Sequence, residues 1–221
     1  MVYKSLLLYL ILSLSTISAK EITVKVIDTK TMPVNGMVIY LTPQKTQQAL
    51  PYNKSTLLVA QKNKSFAPYV AVTQKGQSIV FENKDNISHH IYSVSGGNRF
   101  DFKIKAGKSK STQQLNHAEE IAMGCNIHDW MSGYVLVVDT PYYAQTDVQG
   151  IARINIDVGG VYILTVWHPQ LDVKNYKVEQ VINIESDDAN SQKMWEVQLP
   201  KDLLPLPEQI GQDEFEFLDE Y

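Results

Sequence analysis

The stretch CNIHDWMSGYVLVV, residues 125–138, carries three potential metal ligands on a short loop and then runs directly into an apolar segment. Cys125, His128 and Met131 stand in the order Cys-x2-His-x2-Met. After Gly133, residues 134–138 are aromatic, β-branched or aliphatic, so residues 133–138 are typical of a buried strand. A second strand is expected before Cys125, so both ends of the loop would be anchored in a sheet.

A fourth ligand must come from another part of the chain, because blue-copper sites combine one thiolate and two imidazoles with a weak axial thioether. The segment Ser88–Tyr92 offers His89 and His90. Successive side chains of a strand point to opposite faces, so both imidazoles cannot readily reach one ion. The spacing alone leaves the choice open.

Cys125 is the only cysteine in the chain. An unpaired thiol in an exported protein could be a buried bystander, a partner in an intermolecular disulfide, or a metal-bound thiolate. Cysteine and histidine at this spacing also occur in zinc sites. Met131 at its offset and an upstream histidine on a strand favour copper.

Most of the chain shows short strand-like runs separated by Gly, Pro, Asn and Asp, and this indicates a β-sandwich protein. The expected strands cover residues 22–27, 37–41, 57–61, 69–73, 78–82, 90–94, 100–104, 133–138, 151–156, 162–167, 176–184 and 195–199. We expect one domain over residues 20–140, a small β module over 141–200, and an acidic, solvated tail over 201–221. A docking strip for a basic partner is the alternative for the tail.

The first 19 residues read as a secretory signal peptide, with Lys4 before an apolar run and Ala19 at a small-residue cleavage site. The apolar run is too short for a membrane anchor. The formal net charge of −4 argues against nucleic acid as a partner. We therefore expect a periplasmic protein with no stable membrane anchor.

The ligand loop resembles that of amicyanin, a blue copper protein of the cupredoxin family, which also has two residues between Cys and His and two between His and Met. Residues 80–89, VFENKDNISH, resemble the amicyanin and plastocyanin strand that ends in the first histidine ligand. This resemblance implies that His89 is a ligand and that His90 braces the ligand loop from outside. The chain departs from plastocyanin in having no proline between Cys125 and His128.

Over residues 20–170 the chain resembles exported bacterial methylamine utilization proteins. That resemblance implies an all-β fold, in which a cupredoxin-like Greek-key β-sandwich is followed by a small β-sandwich module of the carboxypeptidase regulatory or transthyretin-like type. One type 1 copper ion would be held by His89, Cys125, His128 and Met131. In cupredoxins the loop histidine commonly emerges through an apolar patch, here expected around Ile127 and Trp130; alternatively, Trp130 simply packs beneath the loop.

These features favour a carrier of single electrons between redox proteins, such as a cytochrome and a dehydrogenase, and not an enzyme. A site with four protein ligands leaves no open position for a substrate. Five histidines are too few for a multicopper oxidase, and a dinuclear purple site needs a second cysteine. The alternatives are a copper-binding or copper-sensing module and an interaction protein of the cell envelope.

Overall fold

A computed structural model describes residues 20–45, 50–52, 55–94, 96–185 and 193–207. Within these ranges the regular structure consists of sixteen strands and one short 3-10 turn, Lys174–Tyr176. The predicted all-β class is confirmed. The expected signal peptide and the chain beyond residue 207 lie outside the described residues. Among those that are described, no helix is long and apolar enough to cross a membrane.

The strands are β1 (Lys20–Ile27), β2 (Val38–Pro43), β3 (Leu57–Lys62), β4 (Ser65–Ala67), β5 (Val70–Gln74), β6 (Ile79–Asn83), β7 (His89–Ser93), β8 (Phe100–Ile104), β9 (Ser109–Ser111), β10 (Glu120–Cys125), β11 (Ser132–Val138), β12 (Tyr143–Gln145), β13 (Ile151–Ile156), β14 (Gly160–Trp167), β15 (Lys177–Ile184) and β16 (Met194–Gln198). Each of the twelve predicted strands overlaps one of these. Strands β4, β9 and β12 have three residues each, which is too short for a readable period of two.

Strands β3 to β11 form a first sandwich from a five-stranded sheet, β5-β11-β10-β7-β8, and a four-stranded sheet, β4-β3-β6-β9. Alternation along each strand turns one set of side chains inward; on β6 the inward set is Ile79, Phe81 and Asn83. The shared core also includes Cys125 and Met131. The ligand loop is thus continuous with the hydrophobic core.

The remaining strands form a second sandwich from the sheets β13-β1-β16 and β12-β2-β14-β15. Its core is separate from that of the first sandwich and contains buried aliphatic residues of both sheets, such as Val24, Leu41, Ile154 and Leu164. After β16 the chain stays on this unit, because Leu203 bridges to Leu171. A second β-sandwich is therefore present, as expected.

Strand pairing groups residues 20–43 differently from the predicted domain of residues 20–140. β1 pairs antiparallel with β13 and parallel with β16, and β2 lies between β12 and β14. The chain therefore begins in the second sandwich, builds the first, and returns. Pairing between strands more than a hundred residues apart leaves no local sequence signal, so the sequence alone places the two N-terminal strands in the first unit.

The two sandwiches meet through a small apolar cluster of their own. Val38 and Trp167 from the second sandwich pack with Val70, Leu136 and Val138 from the first. Alternate residues of β11 therefore face either the first core or this junction, and its last four residues are all buried.

His168, at the end of β14, gives the second sandwich a defined response to acid. The side chain is 6% exposed, and burial lowers its pKa from 6.5 to about 4. Between these values the unfolded chain binds a proton that the folded protein does not. Stability is therefore present at neutral pH and lost as the pH falls, by about 1.4 kcal/mol per pH unit and about 3 kcal/mol in all.

We expect His168→Asn to remove this contribution from the free energy of unfolding measured in denaturant between pH 7 and 4. Asparagine keeps an acceptor for the Gln170 N–H, which the His168 Nδ1 accepts at 3.2 Å. The control is His117→Asn, since His117 is exposed and lies in a loop. If the free energy of unfolding depended on pH in the same way in the wild type and in His168→Asn, the contribution assigned to His168 would be wrong.

Candidate metal centre

The ligand loop is closed at its base by pairing between β10 and β11. Gly124 and Ser132 are cross-strand partners, so Cys125 and Met131 leave and re-enter the sheet side by side. Within the loop the Met131 N–H donates to the His128 carbonyl at 2.9 Å. Both ends of the loop are thus fixed by the sheet, even without the proline of plastocyanin.

The register between β7 and β10 decides which histidine reaches Cys125. Cys125 pairs with Ile91, so His89, two residues earlier on β7, faces the same side of the sheet as Ile91 and Cys125. His89 is fully buried, whereas His90 is on the outer face. The structure therefore brings the His89 ring, and not the His90 ring, to the Cys125 thiol.

Three ligand atoms converge in this buried space. The Cys125 Sγ lies 3.8 Å from the His89 Nδ1 and 3.5 Å from the His128 Nδ1. One ligand atom from each of these residues lies within 4.8 Å of the others. Two atoms bonded to one ion at about 2.0 and 2.3 Å, and about 110–120° apart, would be separated by about 3.5–3.7 Å. The spacing fits one metal ion.

Met131 completes the predicted set from the opposite end of the loop. Its side chain is 1% exposed and belongs to the same core cluster as Cys125. A surface groove that also includes Tyr92 and Gly124 reaches both residues. Met131 is thus buried in the apolar core that also contains Cys125, and a thioether in such surroundings suits the role of a weak axial ligand.

Asp85 is a functional residue that the sequence analysis missed. Its Oδ2 lies 2.8 Å from the His89 Nε2, on the side of the ring away from Cys125. The carboxylate also accepts the N–H groups of Asn63, at 2.6 Å, and Lys64, at 3.0 Å, from the β3–β4 turn. A carboxylate on the distal nitrogen commonly fixes the tautomer and orientation of a metal-binding histidine.

The same contacts set the charges of the cluster. Burial alone would raise the pKa of Cys125, but hydrogen bonds from His89, the backbone of Ile127 and His90, and His128 lower this pKa to about 6. Burial likewise opposes the charged form of His89, yet Cys125 and Asp85 raise its pKa. A thiolate, the form that binds metals, is thus favoured near neutral pH.

His90 and Trp130 support the loop from two sides. The His90 backbone carbonyl accepts the Asn126 backbone N–H at 2.9 Å. The His90 ring contacts the Asp101 carboxylate and the side-chain amide of Asn126. Trp130 is half-buried, packs against the core, and lies 5.3 Å from the His128 ring. Trp130 therefore packs beneath the loop. Ile127, which is 52% exposed, lies on the outer surface of the loop.

No family model matches the sequence, and no curated protein matches it. Solved structures that resemble part of the chain include a copper-containing nitrite reductase from Thermus scotoductus, at 22% identity and a TM-score of 0.36 over 44% of this chain. The chain spans a quarter of that enzyme's length.

Two further structures match almost over their whole length. A purple cupredoxin from Nitrosopumilus maritimus is 17% identical, with a TM-score of 0.34, and covers 37% of this chain and 99% of its own. An amicyanin variant with copper(I) is 15% identical, with a TM-score of 0.35; the match covers 45% of this chain and 99% of the amicyanin chain. The likeness to methylamine utilization proteins stays a prediction, and the chemistry of the site rests on its own residues.

We expect Asp85→Asn to weaken copper binding by about 10- to 100-fold. The carboxylate uses one oxygen for the Asn63 N–H and the other for the Lys64 N–H and His89. The amide has a single acceptor oxygen, so the variant loses the restraint on either His89 or the β3–β4 turn, and it also loses the negative charge. Competition with a chelator of known affinity measures the change.

Glu82→Gln is the matched control, because Glu82 lies on the adjoining strand and pairs with exposed Lys84. This variant should bind copper as the wild type does. Equal loss of affinity in both variants would mean that general charge, and not the contact with His89, is responsible.

Proposed function

We propose that this protein is a periplasmic type 1 copper protein that carries single electrons between redox partners. The observation that carries the proposal is the convergence of the Cys125 Sγ with the Nδ1 atoms of His89 and His128, all three residues being buried. Met131 is buried in the same core cluster as Cys125. A trigonal His2Cys set with a weak axial methionine is the donor set of blue-copper electron-transfer sites. A bound copper ion would supply a one-electron Cu(II)/Cu(I) couple.

The protein's contribution is to keep the ligands still. His89 is held by β7 and by Asp85, Cys125 by β10, and Met131 by its place before β11. Ligands that keep their positions in both oxidation states reduce the rearrangement that accompanies transfer. Four protein ligands leave no open position for a substrate, which supports a carrier in preference to an enzyme.

The partners follow from this chemistry only as a class. A one-electron carrier needs a donor and an acceptor, and soluble or membrane-attached cytochromes and dehydrogenases are the partners we propose. Such encounters are usually weak and bury small interfaces. Ile127, which is exposed on the ligand loop beside His128, offers apolar surface next to the site.

The first test is the visible spectrum of the mature chain, from Lys20 onward, after addition of copper(II). We expect an intense thiolate-to-copper charge-transfer band that is absent in Cys125→Ser, since a hydroxyl cannot replace the thiolate. His117→Gln is the control, because that exposed histidine lies outside the cluster and should leave the band unchanged. A colourless wild type would contradict a type 1 site and favour zinc or copper(I) binding.

We further expect Met131→Leu to keep the colour and raise the reduction potential, by on the order of 60 mV for a tenfold change in the relative affinity for the two copper oxidation states. The thioether donates weakly to copper(II), so its loss disfavours the oxidised form. The control is Met123→Leu, because Met123 is buried in the same core and lies on β10. Equal shifts in the two variants would mean that packing, and not axial donation, is responsible.

A further inference from the structure

The segment KIKAGKSK, residues 103–110, carries four lysines and no acidic residue in a chain whose formal net charge is −4. Lys103 is the next-to-last residue of β8, Lys105 and Lys108 flank the turn, and Lys110 lies in β9; all four are exposed. We call residues 103–110 the lysine segment. Its positive charge is opposite in sign to the net charge of the whole chain.

Little of this charge is compensated by neighbouring side chains. Across the described part of the chain, none of the four lysines forms an ion pair, although Lys110 lies over the Phe102 ring with its Nζ 4.9 Å from the centroid. The nearby acids have other contacts: Asp101 with His90, and Glu82 with Lys84. The positive charge is therefore available to a partner.

The lysine segment lies at the end of the first sandwich that carries the metal centre. Ile104 is the cross-strand partner of His89, and Lys103 that of His90. The Lys108 carbonyl accepts the Asn83 N–H, while the Asn83 amide donates to the Ile104 carbonyl. Since β8, β7 and β10 are neighbours, the segment lies about 10 Å from the strand that carries Cys125.

We propose that the lysine segment is a docking surface for an acidic protein, which it steers toward the metal centre. The steering role rests on the proposed function. The docking surface itself is inferred only from the positions and charges of described residues. At about 10 mM salt the screening distance is about 30 Å, so the lysine charges act across the distance of about 10 Å to the strand that carries Cys125; at physiological salt the screening distance falls to about 8 Å and the attraction weakens. A compact acidic patch fits this short strip, whereas an extended anionic polymer or bilayer would also meet the remainder of a net negative chain.

The binding test does not depend on the metal. A decaglutamate peptide is titrated into the isotope-labelled mature protein, and amide shifts are followed by NMR at about 10 mM and 200 mM salt. We expect shifts concentrated at residues 103–110 and affinity that falls as salt rises. Replacing Lys103, Lys105 and Lys108 by glutamine should weaken binding about tenfold at low salt.

The matched control replaces three exposed lysines outside the first sandwich, Lys30, Lys45 and Lys174, by glutamine, which changes the net charge equally. It should bind the peptide as the wild type does. Equal weakening in both triple variants, or shifts spread over both sandwiches, would overturn the proposal. The proposal would also be overturned if the peptide bound only after the acidic residues beyond 207 had been neutralised. In that case the chain's own C-terminal segment would be the occupant of the surface.

The steering test uses the copper(I) protein and hexacyanoferrate(III), which takes one electron and leaves copper(II) and hexacyanoferrate(II). We expect the second-order rate to fall about tenfold in the lysine-segment variant at low salt and to be unchanged in the control. Localised peptide binding without electron transfer would overturn the proposed function and leave the surface standing. Electron transfer with equal rates in both triple variants would overturn the surface and leave the function standing.

Discussion

The register of β10 between β7 and β11 is the constraint on which the candidate metal centre depends. Cys125 opposite Ile91 and Gly124 opposite Ser132 bring the thiol, the first imidazole and the end of the loop to one side of the sheet. A slip of one residue would turn Cys125 to the outer face, because side chains alternate. The alternation of β10, which buries Ile121 and Met123 on the same face as Cys125, makes such a slip unfavourable.

The buried polar groups of the site stabilise one another. Asp85 accepts from a turn and contacts His89, which in turn faces the Cys125 thiol. An isolated charge in this pocket would be strongly destabilising, whereas a connected set of hydrogen bonds offsets much of that cost. The same connections link the metal-binding geometry to the β3–β4 turn, which is distant from the ligand loop in sequence.

The sequence predicts the chemistry of this site better than its surroundings. Cys125, His128 and Met131 are recognisable because ligand type and spacing lie on one loop, and alternation explains why only one of His89 and His90 reaches them. The resemblance to amicyanin favoured His89, and the strand register supplies the physical reason. Asp85 was missed because its role depends on backbone N–H groups that no residue type encodes. The grouping of β1 and β2 was missed because it arises from pairing across the length of the first sandwich.

That grouping also bears on the order in which the protein folds. β1 lies between β13 and β16, so its sheet cannot be completed until the last strands have been synthesised. Residues 57–138 contain all the strands of the first sandwich and can collapse earlier, with shorter loops to close. The cluster of His89, Cys125 and His128 would thus form before β1 and β2 have paired with β13 and β14. A chain interrupted after residue 140 would retain every ligand and yet leave the apolar faces of β1 and β2 uncovered, open to association with other chains.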